Sequence, residues 1–102
     1  MWRERAEAVP ADHPCLAGHF PGNPIVPGTL ILDRVIALLD QHHPEARVSE
    51  VISAKFMRPL LPGQAFDVCG EEKTGLISFE CLVDETVIAT GKLAVTEDGA
   101  RP

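Results

Sequence analysis

Residues 18–33 read Gly18-His19-Phe20-Pro21-Gly22-Asn23-Pro24-Ile25-Val26-Pro27-Gly28-Thr29-Leu30-Ile31-Leu32-Asp33. Their first part belongs to a longer segment punctuated by Pro10, Pro14, Gly18, Pro21, Gly22, Pro24, Pro27 and Gly28. Such density forbids a regular helix and a central strand. A shaped loop of this length inside a compact domain is usually functional. It ends where a helix can begin, because Pro27 suits a helix start, where its missing N–H costs nothing. From Thr29 to about His42, Leu30, Ile31, Leu32, Val35, Ile36, Leu38 and Leu39 cover most of the circumference. That breadth predicts a buried helix. His42 and His43 suit the negative end of its dipole, and Pro44 stops it.

Outward from the helix the pattern turns to strands. Trp2 to Val9 alternates weakly and predicts a short strand ahead of the loop. Val48 to Met57, Ala65 to Glu71, Leu76 to Val83 and Val87 to Val95 alternate or run apolar. The separators Lys73-Thr74-Gly75 and Asp84-Glu85-Thr86 are short enough for hairpins, hence an antiparallel sheet. Pro59 to Gly63 carries a Pro-Gly turn signal. The tail from Glu97 to Pro102 is expected to fray. One buried helix followed by an antiparallel meander describes an α+β domain whose sheet wraps the helix.

The chain has 102 residues, 45% hydrophobic and 24% charged, which suits one globular domain over 1–102. A chain this short would gain from an oligomeric interface. Fifteen acidic against nine basic residues give a formal charge of −6, which argues against a nucleic-acid partner. Cys15, Cys69 and Cys81 are an odd number without a tight pair, so neither a disulfide framework nor a zinc cluster is expected. Cys69 and Cys81 fall in strands and read as core; Cys15 lies in the loop before His19. No signal peptide or membrane span is visible, and the expectation is a soluble, cytoplasmic domain.

Read for chemistry, residues 18–33 hold a histidine in a rigid loop that ends at a helix N-terminus. Histidine takes and returns a proton near neutrality. The Gly28 N–H, at the positive end of a helix, stabilises charge building on a carbonyl oxygen. Asp33 lies about 7.5 Å further along the axis. A charge buried in an otherwise apolar helix needs a reason. A base, an oxyanion donor and a second acid–base group suit proton abstraction alpha to a carbonyl. Taken singly, each part has a plainer reading: an exposed or structural histidine, a solvated aspartate, a rigid turn. His13, His42 and His43 are read as structural.

At these residues the sequence resembles the β-hydroxyacyl-acyl-carrier-protein dehydratases of fatty-acid synthesis, which have the hotdog fold. Their motif, His-Phe-Pro-Gly-x-Pro-x-x-Pro-Gly with a Glu or Asp further on, is complete from His19 to Gly28, with Asp33 at the carboxylate position. Lys55-Phe56-Met57-Arg58-Pro59-Leu60-Leu61-Pro62-Gly63 resembles the family's strand and Pro-Gly turn. The resemblance covers about residues 5 to 96. It implies His19 as catalytic base, Asp33 as the group assisting departure of the β-hydroxyl, and the Gly28 amide on the thioester carbonyl. It also implies dimers or higher homo-oligomers in which two sheets join, each site taking its histidine from one subunit and its carboxylate from the other. The implied reaction is reversible loss of water from a 3-hydroxyacyl thioester, giving a trans-2-enoyl thioester, without metal or other cofactor.

The chain departs from the family at Asp33, where the commoner branch has Glu, and at Arg34-Val35-Ile36-Ala37, where Ala-x-x-Gln usually begins directly after the carboxylate. The family's N-terminal helix has no counterpart here, which fits a divergent, pathway-dedicated member. The implied partner, acyl carrier protein, is acidic, so docking on this acidic chain needs a local basic patch. Arg34, Lys55 and Arg58 are the candidates, ahead of Arg3 and Arg5. Phe20, Ile25, Pro27, Ile31, Phe56 and Leu60 are candidates to line an acyl tunnel, or plain core. Two other functions stay open: a hotdog thioesterase, which would not need the His-Phe-Pro-Gly loop, and a non-catalytic subunit pairing with an active homologue.

Overall fold

The structure is a computed structural model that describes residues 1–14 and 25–97. Strand β1 (Trp2–Ala6) is followed by helix α1 (Gly28–His42), then β2 (Ala46–Phe56), β3 (Phe66–Lys73), β4 (Leu76–Val83) and β5 (Thr86–Glu97). Each predicted element is present, with boundaries shifted by a few residues. The strands form one antiparallel sheet in the order β1-β3-β4-β5-β2. The meander expected from the sequence is therefore correct for β3, β4 and β5 only. The Pro-Gly segment after β2 is a crossing, not a hairpin. It carries the chain from the far edge back to β3, because β2 pairs with β5.

The helix packs on one face of this sheet. Leu30, Ile31, Val35, Leu38 and Leu39 are buried, and they meet the inward residues Phe66, Val68, Ile77, Phe79, Ala89 and Leu93 in one core. Strand periodicity assigns these inward positions. Full burial of each such side chain contributes about 1.5–3 kcal/mol. Gly91 sits opposite Phe79 in the β4–β5 register, and the Phe79 ring lies over its bare α-carbon.

Two tight turns close the meander. Thr74-Gly75 joins β3 to β4, with Gly75 at φ +76°. Asp84-Glu85 joins β4 to β5 with φ of 49° and 66°. Two consecutive left-handed residues form the mirror-image turn that matches strand twist, a position usually held by Asn-Gly. This turn places Glu85 beside Arg3, whose guanidinium bridges Glu85 and Asp67 at 2.7 Å each. Arg5 also pairs with Asp67. These bonds tie β1 to β3 and to the β4–β5 turn on the face away from the helix.

The guanidinium hydrogen bonds of Arg3 and then Arg5 hold the Asp67 carboxyl below the usual carboxylate range. A depressed folded-state value stabilises the fold fully above the unfolded value, about pH 4. The contribution is lost as pH falls from there through the depressed value. Asp67→Asn is expected to lower the thermal midpoint at pH 7 and to converge with wild type toward about pH 2. Melting curves of both proteins across that range measure it.

Candidate active site at the helix N-terminus

Two segments distant in sequence meet at the start of α1. The Val26 N–H donates to the Leu60 carbonyl at 2.8 Å, and both side chains are buried. This bond joins the end of the Pro/Gly loop to the crossing after β2. Between the two segments lies a cavity of about 320 Å³. Ile25, Pro27, Gly28, Ile31, Phe56 and Leu60, all singled out in the sequence, line it together with Val26, Met57, Arg58 and Pro59. Met57 had no distinguishing signal in the sequence beyond its place next to Phe56.

The helix end offers donors to this cavity. The Pro27 carbonyl accepts from the Leu30 and Ile31 N–H groups at 3.0 and 3.3 Å. The N–H groups of Gly28 and Thr29 precede the first helical bond and have no acceptor in the helix. Among the described residues no side chain caps this end, and no acidic residue lies in its first turn. The positive end of the dipole is thus left for an oxygen of a bound molecule.

Asp33 departs from its sequence reading. It is exposed, on a stripe with Thr29, Ala37 and Asp40, and is not among the residues lining the cavity. The sequence counted too many apolar positions as inward. The sheet covers only one side of α1, so Leu32 and Ile36 are partly buried and the opposite face meets solvent. His19, Phe20 and Cys15 lie outside the described residues.

The candidate docking cations separate into two kinds. Lys55 and Arg58 are exposed and form no ion pair among the described residues. Arg34 is half-buried, and its Nε is shielded without a hydrogen-bond partner. Arg3 and Arg5 are committed to Asp67 and Glu85. Sequence reasoning missed Lys92. The pairs Ser53↔Lys92 and Lys55↔Thr90 put it beside Lys55 on the sheet face away from the helix, and pairing register cannot be read before the strand order is known. Burial pushes the Cys81 thiol up to about 12 and raises Cys69 as well, so neither is a poised nucleophile. Among the described residues no group of three or more His, Cys, Asp or Glu could hold a metal ion. None of the described helices is long and apolar enough to cross a membrane.

Residues 4–92 match the model of a protein family described as ApeI-like, ApeI dehydratase. The chain is 34% identical over 107 aligned positions to the 3-hydroxyacyl-[acyl-carrier-protein] dehydratase FabZ of Mannheimia succiniciproducens, covering 91% of this chain and 71% of that one. It is 32% identical to FabZ of Haemophilus influenzae strain 86-028NP, over 76% of this chain and 61% of that protein. Among solved structures, an uncharacterised protein from Erwinia carotovora superposes with a TM-score of 0.77 at 21% identity, covering 95% of this chain and 94% of that one. The dehydratase heterocomplex ApeI:P from Xenorhabdus doucetiae superposes with a TM-score of 0.74 at 24% identity, covering 95% and 96%. The fold is the α+β hotdog, an antiparallel sheet around one helix.

Two glycines show how the cavity wall differs from the core. A Cβ on Gly28 would come within 2.8 Å of the Phe56 ring, which is 43% exposed and free to swing away. A Cβ on Gly91 would meet the buried Phe79 ring at 2.4 Å and the Ser53 carbonyl at 2.6 Å. Gly28→Ala is expected to change stability by less than about 1 kcal/mol, since the helix gains about that much in propensity. Gly91→Ala should cost about 1–3 kcal/mol by overpacking. Urea denaturation of the two variants distinguishes them.

Proposed function

Because the chain belongs to the ApeI-like dehydratase family, we propose that it interconverts a 3-hydroxyacyl thioester carried on acyl carrier protein and its trans-2-enoyl thioester. The observation that carries this reading is an apolar cavity at an uncapped helix N-terminus, in a chain whose sequence holds the complete His-Phe-Pro-Gly motif just before it. The thioester carbonyl accepts from the Gly28 N–H, which stabilises the negative charge that develops when the α-proton leaves. His19 takes that proton. The C–O bond to the β-hydroxyl breaks, Asp33 holds the departing oxygen, and His19 returns the proton so that water leaves. The acyl chain lies along Ile25, Pro27, Ile31 and Phe56, and the motif adds Phe20 as a further lining candidate. This chemistry needs no cofactor.

The exposed Asp33 supports a site shared between two chains. A carboxylate outside its own cavity is available to the cavity of a second copy. Strand β2 is an edge strand of 11 residues, with Val51, Ile52 and Phe56 each more than 40% exposed and Met57 just beyond it 44% exposed. A long apolar edge left open is a pairing site. Pairing of β2 with a second β2 would join two sheets and form the homodimer. Lys55 and Arg58, with Lys92 beside Lys55, then offer an acidic carrier protein a basic approach near the cavity mouth, Arg34 contributing less. A specific observation favours a second reading of the partner: the Xenorhabdus relative is a dehydratase heterocomplex, so a homologous chain could occupy the place of the second copy.

The test is hydration of a crotonyl thioester, on carrier protein and on coenzyme A, followed by loss of the enoyl absorbance and by mass. Wild type is expected to add water, and His19→Ala and Asp33→Asn to lose at least about a hundredfold in rate, the lower range for a proton-transfer group, with unchanged circular dichroism. Near-full activity in either variant would sink the assignment. Release of free thiol would indicate a thioesterase, and no reaction without a homologous chain would favour the heteromeric reading. Ile52→Glu should leave the chain folded, because Ile52 is 49% exposed, and abolish dimer and activity together in size-exclusion and rate measurements.

A further inference from the structure

Far from the cavity, at the other end of α1, Trp2 is held on three sides. One face of its indole lies on the bare α-carbon of Gly70, where a Cβ would come within 2.3 Å of the ring. The other face stacks on His42, with centroids 4.2 Å apart and planes 5° from parallel. Its edge N–H donates to His43 Nε2 at 3.1 Å. The two histidines also contact carboxylates: His42 Nε2 lies 3.1 Å from Glu4, and His43 Nδ1 lies 3.2 Å from Glu72.

These contacts fix two different proton placements. An indole N–H only donates, so His43 Nε2 must be a bare acceptor and its proton must sit on Nδ1, facing Glu72. His42 faces Glu4 through Nε2, so its proton sits there and its Nδ1 is the bare nitrogen. Protonating His42 adds a hydrogen away from Glu4 and puts a cation over the indole face, which keeps the stack favourable. Protonating His43 adds a hydrogen at Nε2, directly opposite the indole N–H. Two donors then face each other and the bond cannot persist.

We propose that Trp2 and His43 form a proton-operated latch that fixes the start of β1 to the C-terminal end of α1 while His43 is neutral and releases it when His43 is protonated. The groups around the latch are acidic on every element packed against it. Glu4 comes from β1, Glu72 from β3, and Glu45 from the connection to β2, which lines a cavity of about 280 Å³ with both histidines and Glu72; Asp40, two residues before His42 on α1, is exposed. Strand alternation sends Arg3, Arg5, Lys73 and Arg47 to the opposite sheet face, with Arg3 and Arg5 paired there. No cation among these competes with an imidazolium. The release is expected to be local, since Ala6 and Val9 are buried and Arg3 is bound to Asp67 and Glu85 independently of the Trp2–His43 bond.

Trp2 is the single tryptophan, so its fluorescence and its indole proton report on the latch alone. The experiment records emission and indole-proton exchange from pH 8 to pH 5 for wild type, His43→Gln and His42→Gln. Glutamine can accept from the indole but cannot gain a proton. Wild type should show a red-shifted emission at pH 5 and, relative to free tryptophan at the same pH, a loss of about fivefold in indole protection from exchange, the worth of one hydrogen bond. His42→Gln should keep that transition and His43→Gln should lose it, with far-ultraviolet circular dichroism constant throughout. A flat wild-type response, or a transition abolished by His42→Gln and retained by His43→Gln, overturns the proposal. A change that tracks circular dichroism also overturns it, because it reports general acid unfolding.

Discussion

Burial of one face of α1 on one face of a single sheet is the constraint from which the rest of the molecule follows. Leu30, Ile31, Val35, Leu38 and Leu39 are buried in one core with the inward residues of β3, β4 and β5 and with Ala6, Val9, Val26 and Leu60. The hairpins β3-β4-β5 leave two edges beside which the remaining strands can pair. Strand β1 takes the edge beside β3, and the helix carries the chain over to the edge beside β5, where β2 pairs. The crossing after β2 must then return past the helix N-terminus. That return is why Leu60 meets Val26, and why Phe56 lies over Gly28.

The same arrangement produces the features of the candidate site. The helix begins directly after Pro27 with no capping side chain among the described residues, and Gly28 at its start lines an apolar cavity. Since the sheet covers only one side of α1, Asp33 remains outside that cavity on the uncovered stripe. Since β2 is the last strand in the sheet, its apolar residues remain uncovered as well. An outward carboxylate and an open apolar edge are one geometric consequence of packing a single helix on a single sheet. The proposed pairing with a second chain of the same architecture would cover both.

Charge follows the strand order too. At the β1 edge the arginines are consumed: Arg3 and Arg5 pair with Asp67 and Glu85, which binds the first strand to its neighbour and to a turn. At the β2 edge Lys55, Lys92 and Arg58 are left without ion pairs among the described residues. A chain with a formal charge of −6 thus keeps Lys55 and Arg58 uncommitted around the end of β2, where Phe56 and Arg58 line the cavity, and an acidic cluster of Glu4, Glu45 and Glu72 at the other end of α1. Exposed pairs of this kind contribute little to stability. Their effect is to decide where a charged partner finds an unoccupied cation.

Local sequence was sufficient for the elements, because each rests on neighbours along the chain. Pro27 and Pro44 bound the helix, Thr74-Gly75 and Asp84-Glu85 close the hairpins, and the motif from His19 to Gly28 is what directs the proposed function to the helix start. Five of the residues singled out for the cavity wall line it: Ile25, Pro27 and Ile31 lie at the helix start, and Phe56 and Leu60 come from the end of β2 and the crossing after it. The position of β2, the exposure of Asp33 and the placing of Lys92 beside Lys55 were not legible. Each depends on which strand lies beside which, and periodicity shows only that a residue faces inward or outward, never what covers it. The sequence by itself determined the helix, the strands and the chemical types gathered at the helix start. Only the tertiary structure decided the edge on which β2 lies, and hence which apolar and acidic residues remain open, because strand order is settled by burial across the whole sheet.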